Sequence, residues 1–316
     1  MYALGIDVGG TSIKWGLVDE NGKVYKTDFM ETLKGEDQNV TIVKLGNRIN
    51  EYLKTCGVDI SEIKGIGMGI PGSINPTEGV VMYSNNLGWG DLQIVKILEN
   101  MVGLPVKITN DANAATLGEV KFGAGRRYSS AIMLTLGTGV GGGIVLDGKL
   151  VEGNKGGGGE LGHMVIDANS KIQCTCGRMG CLEVYASATG LIRMTKEAML
   201  EDRGSKLWDI VDHEIDKVNG KTAWDGLDLG DETAKKVVNQ YIFYLGEGIL
   251  NYCNIFRPEV IILGGGIAKQ GKRLTDMLTT FCKERHYGYQ RTPAVDIIVA
   301  ELGYETGIIG AASLIL

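Results

Sequence analysis

Twice along this chain, a turn built of glycine and threonine joins two β-prone runs, and that pattern narrows the fold more than any other feature. Near the start, Tyr2–Asp7 leads into Val8-Gly9-Gly10-Thr11 and out through Ser12–Val18. In the middle, Ser130–Leu136 leads into Gly137-Thr138-Gly139-Val140-Gly141-Gly142-Gly143 and returns through Ile144–Leu146. Each turn strings together backbone N–H groups free of bulky side chains. It can form an anion-binding concavity or be a plain hairpin. The repetition reads as a weak internal duplication: two α/β units, with a boundary near Phe122.

The remaining pattern supports α/β organisation. The Asn21-Gly22 pair predicts a tight hairpin into a third strand, Val24–Phe29. Apolar spacing predicts a helix over Gln38–Cys56 and another over Asp91–Met101, with Asp91 as its N-cap. The strand Val106–Thr109 ends at Asn110-Asp111-Ala112-Asn113, which opens an Ala-rich helix to Phe122. Helices are expected over Glu183–Leu200, Glu232–Cys253 and Thr306–Leu316. Strands are expected at Val260–Leu263, before Gly264-Gly265-Gly266, and at Val295–Val299. Two nucleotide motifs fail on context. Gly137, Gly139 and Gly142 fit G-x-G-x-x-G, but a strand follows where a helix is required. Gly143 to Lys149 fits G-x4-G-K, but Leu150 stands where Ser or Thr must ligand Mg²⁺.

Composition excludes other classes. A length of 316 residues suggests two domains. The net charge of −6 lacks the basic footprint of a nucleic-acid binder. No apolar run approaches the ~20 residues of a membrane span, and the N-terminus has no signal-peptide pattern. A soluble, cytoplasmic protein without nucleic-acid or membrane partners is expected. Glycine numbers 48, roughly twice the usual ~7%, which suits tight turns and close backbone approach to ligands.

Three of the six cysteines, Cys174, Cys176 and Cys181, crowd into one short loop, eleven residues after His163. Three thiolates and an imidazole make a closed tetrahedral set that suits structural Zn²⁺ rather than a water-activating metal. Cys56, Cys253 and Cys282 lie in apolar helical contexts and read as core residues, whereas His213 and His286 stand alone and are expected at the surface. Asp7 and Asp111 both end strands, where α/β proteins place their sites, although Asp111 could equally be a helix N-cap. Glu160, His163 and Glu183 flank the cysteine loop; gathered together they would form a polar pocket suited to sugar hydroxyls.

The combination resembles the ROK family of sugar kinases and repressors. The matching segments are Asp7-Val8-Gly9-Gly10-Thr11, Asn110-Asp111-Ala112-Asn113, Leu136–Gly143, Glu160-Leu161-Gly162-His163, the cysteine loop through Glu183, and Leu263-Gly264-Gly265-Gly266. Asn85-Asn86-Leu87-Gly88-Trp89 is most similar to the bacterial glucokinase branch. The resemblance implies an α/β fold of two RNase H-like (actin-like ATPase) domains with a ligand cleft between them. The N-terminal domain would be 1–122 plus 303–316, and the C-terminal domain, carrying the zinc loop, 123–302. It implies ATP-dependent phosphorylation of a hexose 6-hydroxyl, glucose foremost, with Asp111 as general base. Another hexose or N-acetylhexosamine, or a non-catalytic sugar-binding regulator, are the alternatives. Asp7 would hold Mg²⁺. Gly9, Gly10, Thr11, Lys14, Gly137, Thr138 and Gly139 would hold the ATP phosphates, and Gly264, Gly265 and Gly266 would underlie the adenosine. Asn110, Asp111, Glu160, His163 and Glu183 would bind the sugar. His163, Cys174, Cys176 and Cys181 would bind Zn²⁺, and a homodimer is implied. A family repressor would carry a helix-turn-helix ahead of the first turn, which here begins at Asp7, so an enzyme is expected. The run Gly156-Gly157-Gly158-Gly159 is richer in glycine than the family pattern, and its extra flexibility is expected to loosen selectivity among hexoses.

Overall fold

Tyr2–Val8 (β1) buries Ala3, Leu4, Ile6 and Val8 in succession, the continuous apolar run of a strand covered on both faces. The computed structural model describes residues 1–33, 35–288 and 290–316. β1 is followed by Ser12–Asp19 (β2), Val24–Glu31 (β3), the helix Gln38–Thr55 (α1) and Ile63–Ile70 (β4). Next come Ser73–Asn75 (β5), Val80–Ser84 (β6), Trp89–Leu92 (β7), Ile94–Val102 (α2), Val106–Asn110 (β8) and Asp111–Phe122 (α3). The second half begins with Ala131–Leu136 (β9), Val140–Leu146 (β10) and Lys149–Leu150 (β11). Helices Glu183–Ala186 (α4), Ala188–Glu201 (α5), Leu207–Ile210 (α6), Thr222–Asp228 (α7) and Glu232–Phe256 (α8) follow. Val260–Gly264 (β12), Lys272–Lys283 (α9), Asp296–Val299 (β13) and Thr306–Ala312 (α10) complete the chain.

The chain divides into two compact units. One comprises Met1–Ser130, Gly143–Gly159 and Ala300–Leu316, the other Ala131–Gly142 and Glu160–Val299. The first sheet runs β3-β2-β1-β4-β8, antiparallel from β3 to β1 and parallel from β1 to β8. A small antiparallel sheet, β5-β6-β7, accompanies it. The other large sheet runs β11-β10-β9-β12-β13, with β12 parallel to β9 and β13. The two large sheets repeat the strand–turn–strand opening that the sequence suggested.

In the first unit, Ile42, Leu45 and Ile49 of α1 and Ile94 and Leu98 of α2 pack with Leu4, Ile6 and Met68 into one core. Each such side chain contributes about 1.5–3 kcal/mol by burial. Ala3 and Val18 pack instead against Ile308, Ile309 and Ala312 of α10. That contact is unusually close: a side chain at Gly5 would stand 1.9 Å from the Ile308 carbonyl oxygen, and one at Gly67 1.8 Å from that of Ala311. Glycines in β1 and β4 therefore let the backbone of α10 rest directly on the sheet.

The structure corrects several expectations. Asp91 does not cap α2; it lies in β7 at φ 49°, and the helix starts at Ile94 after Gln93. Pairing of Val81 with Leu92 keeps the chain in the sheet past Asp91. The helix expected over Glu183–Leu200 is broken at Ser187, whose side chain caps α5. His286 is buried, not exposed; its Nδ1 lies 3.3 Å from the Cys282 carbonyl and its Nε2 3.1 Å from that of Thr292. Residues 143–159, expected in the C-terminal half, group with the first unit. There Thr109 donates to Glu152 (2.6 Å), and a side chain at Gly156 would stand 1.8 Å from the Ile74 carbonyl oxygen. Within the glycine run, Gly156 is thus required for close packing.

Candidate active site

In the first unit, β1 delivers Asp7 to its C-terminal end, opposite Lys14 of β2. The turn that follows is tied by its own backbone: Gly9 N–H donates to the Ser12 carbonyl (2.9 Å), and the Thr32 hydroxyl donates to the Gly9 carbonyl (2.6 Å). A side chain on Gly10 would project into open space. β8 ends at Asn110, which caps α3: its Oδ1 accepts from the N–H groups of Ala112 (2.8 Å) and Asn113 (3.4 Å), and its Nδ2 donates to the Gly72 carbonyl (3.1 Å). Asn110 rather than Asp111 thus takes the N-cap position, and its side chain holds the start of the helix. Asp111 is the first helical residue, and its Oδ1 accepts from Ala112 N–H (2.9 Å).

The electrostatics of these two aspartates are linked through Asp7. Burial raises the pKa of Asp7, the Asp111 carboxylate raises it further, and Lys14 opposes both. Asp111 keeps solvent contact, yet the protein around it strips enough hydration to raise its pKa too, against hydrogen bonds that favour the anion. Two dehydrated carboxylates that repel one another suit a divalent cation, which would relieve both penalties. Gly307 of α10 sits against Asp7, where an added side-chain carbon would stand 2.4 Å from its Cγ. Gly307 is a feature that the sequence reading missed. Only the close approach of α10 to the sheet reveals it.

In the second unit, the turn after β9 is held from the segment 183–189. Gly137 N–H donates to the Gly139 carbonyl (3.0 Å), Ala188 N–H to the Gly137 carbonyl (2.8 Å), and the Thr189 hydroxyl to the Thr138 carbonyl (2.8 Å). Val140 N–H donates to Glu183 Oε2 (3.1 Å). Space beyond Gly137 and Gly266 is open, so a phosphate or a nucleoside could approach both backbones. Gly265, at φ +86°, lies against Leu136, which brings the Gly264–Gly266 turn beside the Gly137 turn. A cavity of about 470 Å³ opens alongside, lined by Asn219, Lys221, Asp225, Gly266 and Gln270 among others. The sequence reading did not single out these polar residues, since they share no motif.

The cysteine loop gathers its four expected ligands. His163 Nδ1 lies 3.4 Å from Cys174 Sγ, and Cys176 Sγ lies 3.7 Å from Cys181 Sγ. All four ligand atoms fall within 4.8 Å of one another, a spacing that fits a tetrahedral zinc site. Burial pushes the Cys181 thiol up to about 12 and raises Cys174, while a hydrogen bond at Arg178 lowers Cys176. Two of these thiols would stay protonated without a cation, so metal binding there must release protons. His163 follows Glu160 within one short turn, its N–H donating to the Glu160 carbonyl (3.1 Å), and the Glu160 side chain is exposed.

The sequence profile of the ROK family matches residues 3–316. The chain belongs to the ROK family. It is 35% identical over 316 residues to a glucokinase of Thermotoga maritima, covering 99% of this chain and 96% of that one. A xylose repressor of Caldicellulosiruptor bescii is 31% identical over 287 residues, covering 90% of this chain and 70% of the repressor. The solved structure of a ROK family glucokinase from Streptomyces griseus, in complex with glucose and AMPPNP, superposes with a TM-score of 0.78 at 30% identity. It covers 100% of this chain and 99% of that one. As a ROK protein, the chain has an α/β fold of the actin-like ATPase type with two sheet-containing domains. Among the described residues, no helix is long and apolar enough to cross a membrane.

Proposed function

We propose that this ROK protein is a sugar kinase that transfers the γ-phosphoryl group of ATP to the 6-hydroxyl of a hexose, glucose foremost. The observation that carries the reading is the Asp7–Asp111 pair: two carboxylates that dehydration raises, Asp7 further raised by Asp111, beside an open glycine turn, in a chain related over its length to glucokinases. Asp111 takes the proton of the attacking hydroxyl. An ordinary carboxylate is a weak base for an alcohol. It suffices when the transition state is loose and the proton leaves late, so that positioning carries most of the rate. Capping of α3 by Asn110 supplies that positioning. Asp7 would hold Mg²⁺, which when bound neutralises charge on the phosphates. Lys14 and the backbones of Gly9, Gly10, Thr11, Gly137, Thr138 and Gly139 would face the phosphates, and Gly264, Gly265 and Gly266 the adenosine.

Glu160, His163 and Glu183 are the proposed partners of the sugar hydroxyls, together with Asn110 and Asp111. His163, Cys174, Cys176 and Cys181 would hold Zn²⁺, which supplies a fixed point rather than reactivity. Its engagement of Nδ1 leaves Nε2 free for a hydroxyl.

The xylose-repressor relative supports a second reading, a sugar-sensing regulator without turnover. Coupled ADP release with Mg-ATP separates the two. The panel is glucose, mannose, fructose, allose, N-acetylglucosamine and N-acetylmannosamine, with polyphosphate as a second donor and Asp111→Asn as control. Rapid turnover of glucose, lost in the control, is the expected result. Turnover of another sugar keeps the mechanism and changes the substrate. Binding without turnover across the panel favours the regulator.

A further inference from the structure

Glu183 joins two features that the sequence treats separately. Its Oε2 accepts the N–H of Val140, the residue directly after the Gly137-Thr138-Gly139 turn (3.1 Å). Its Oε1 accepts the hydroxyl of Thr175 (2.8 Å), with Cys174 Sγ 3.4 Å from the same oxygen. Thr175 lies between two cluster residues, Cys174 and Cys176. A carboxylate on a flexible side chain is held in one orientation when both oxygens are engaged, and here the two donors come from opposite structures. The fit is specific, because a side-chain carbon on Gly139 would stand 2.3 Å from Glu183 Oε2. Ala188 and Thr189, a few residues on, fasten the same turn at Gly137 and Thr138. A carboxylate has about four acceptor positions, so these two bonds leave Glu183 able to meet a sugar hydroxyl as well.

We propose that Thr175 is a positioning residue for nucleotide binding: its hydroxyl fixes Glu183 against the Gly137–Val140 turn, and through it the cysteine–histidine cluster supports the phosphate turn. The inference rests on the reading of that turn as the phosphate site. The Thr175 hydroxyl acts by limiting the rotamers of Glu183 and so the freedom of the Val140 N–H, an ordering that would otherwise have to be supplied when nucleotide binds.

The test is calorimetric titration of the whole protein with Mg-AMPPNP, alongside elemental analysis for zinc and steady-state kinetics on glucose. Thr175→Val, which swaps the hydroxyl for a methyl group, is expected to keep its zinc and bind AMPPNP about three- to ten-fold more weakly. Its KM for ATP should rise more than its kcat falls. Thr175→Ser, which keeps the donor, should restore the affinity. Stripping zinc from the wild type with a chelator should weaken AMPPNP binding by a similar factor, with little further effect in Thr175→Val. Full zinc with unchanged AMPPNP affinity in Thr175→Val, beside normal wild-type turnover, overturns this inference alone. Equal loss of zinc and affinity in the Val and Ser variants also overturns it, since the loop rather than the hydroxyl would then matter. AMPPNP binding with the expected variant pattern but no sugar turnover overturns the kinase reading and leaves this one standing. No AMPPNP binding by the wild type overturns both.

Discussion

Gly139 and Glu183 share one small space: a side-chain carbon on Gly139 would stand 2.3 Å from Glu183 Oε2, while the neighbouring Gly137 faces nothing within 4 Å. The two glycines are therefore needed for different reasons. Gly137 leaves room for a ligand, and Gly139 leaves room for a carboxylate of the protein itself. Gly137→Ala should raise the KM for ATP and leave that for sugar near normal. Gly139→Ala must displace Glu183 and should raise both, by up to about 100-fold if the carboxylate moves by 1 Å. Initial rates with each substrate varied in turn decide the matter. A Gly139→Ala variant altered toward ATP alone would detach Glu183 from the sugar.

The perturbed pair predicts the pH dependence. Asp111 must be ionised to accept a proton, and its pKa is raised by dehydration. The acid limb of kcat/KM should therefore lie above the ordinary carboxylate range, and saturating Mg²⁺ should move it down by stabilising the anions. Asp111→Asn should bind glucose normally and lose about 10²–10⁴-fold in kcat. The same pair affects stability with the opposite sign to a salt-bridged aspartate. Asp7 has a raised folded-state pKa, so the metal-free fold holds a proton there more tightly than the unfolded chain does. Asp7→Asn should be the more stable protein at neutral pH, with its advantage shrinking as pH falls through the raised pKa. Urea unfolding of both proteins at several pH values tests this.

Much of the site was legible because its chemistry is local in sequence. The cysteine loop declares itself within eight residues of chain, and the two glycine turns each follow a strand with the expected pattern. What escaped depends on contacts between distant segments. Nothing near Gly307 in sequence says that it will rest on Asp7. The polar residues of the cavity beside Gly266 come from α7, from the loop before it and from the turn before α9. The sheet β5-β6-β7 hides in short runs whose turns need glycine at positive φ, at Gly79 and Gly88. The break at Ser187 is masked by apolar spacing that continues across it, although Ser187 is a good N-cap residue.

Glu119 is the sharpest case of a residue that periodicity misreads. It lies in the Ala-rich helix, yet it is fully buried, and its carboxylate accepts from the N–H groups of Ala124 (2.9 Å), Glu301 (3.1 Å) and Leu302 (2.9 Å). It thereby ties the end of α3, the helix that begins at Asp111, to the segment leading into α10, which rests on Asp7. Glu119→Ala leaves several buried donors without partners, and should destabilise the fold by about 3–5 kcal/mol. Glu119→Gln keeps acceptor capacity on one oxygen and should lose less. Urea unfolding measures both, and equal losses would mean that shape rather than hydrogen bonding holds the junction.

The cluster offers the cleanest test of metal against packing, because its members differ in burial. Cys181 is fully buried, so its removal would leave a cavity and confuse the two effects, whereas Cys176 is exposed. Cys176→Ala opens no cavity and removes one of four ligands. Zinc content should fall well below one per chain by elemental analysis, and the melting temperature should drop with it. His163 then loses the partner that fixes its ring, so the KM for sugar should rise about ten-fold, the loss expected for one well-placed hydrogen bond. Added zinc should recover part of the melting temperature in the wild type stripped by chelator, and none in the variant. A Cys176→Ala protein with full zinc and an unchanged melting temperature would remove Cys176 from the ligand set, and a wild type without zinc would show that these four side chains meet for packing alone.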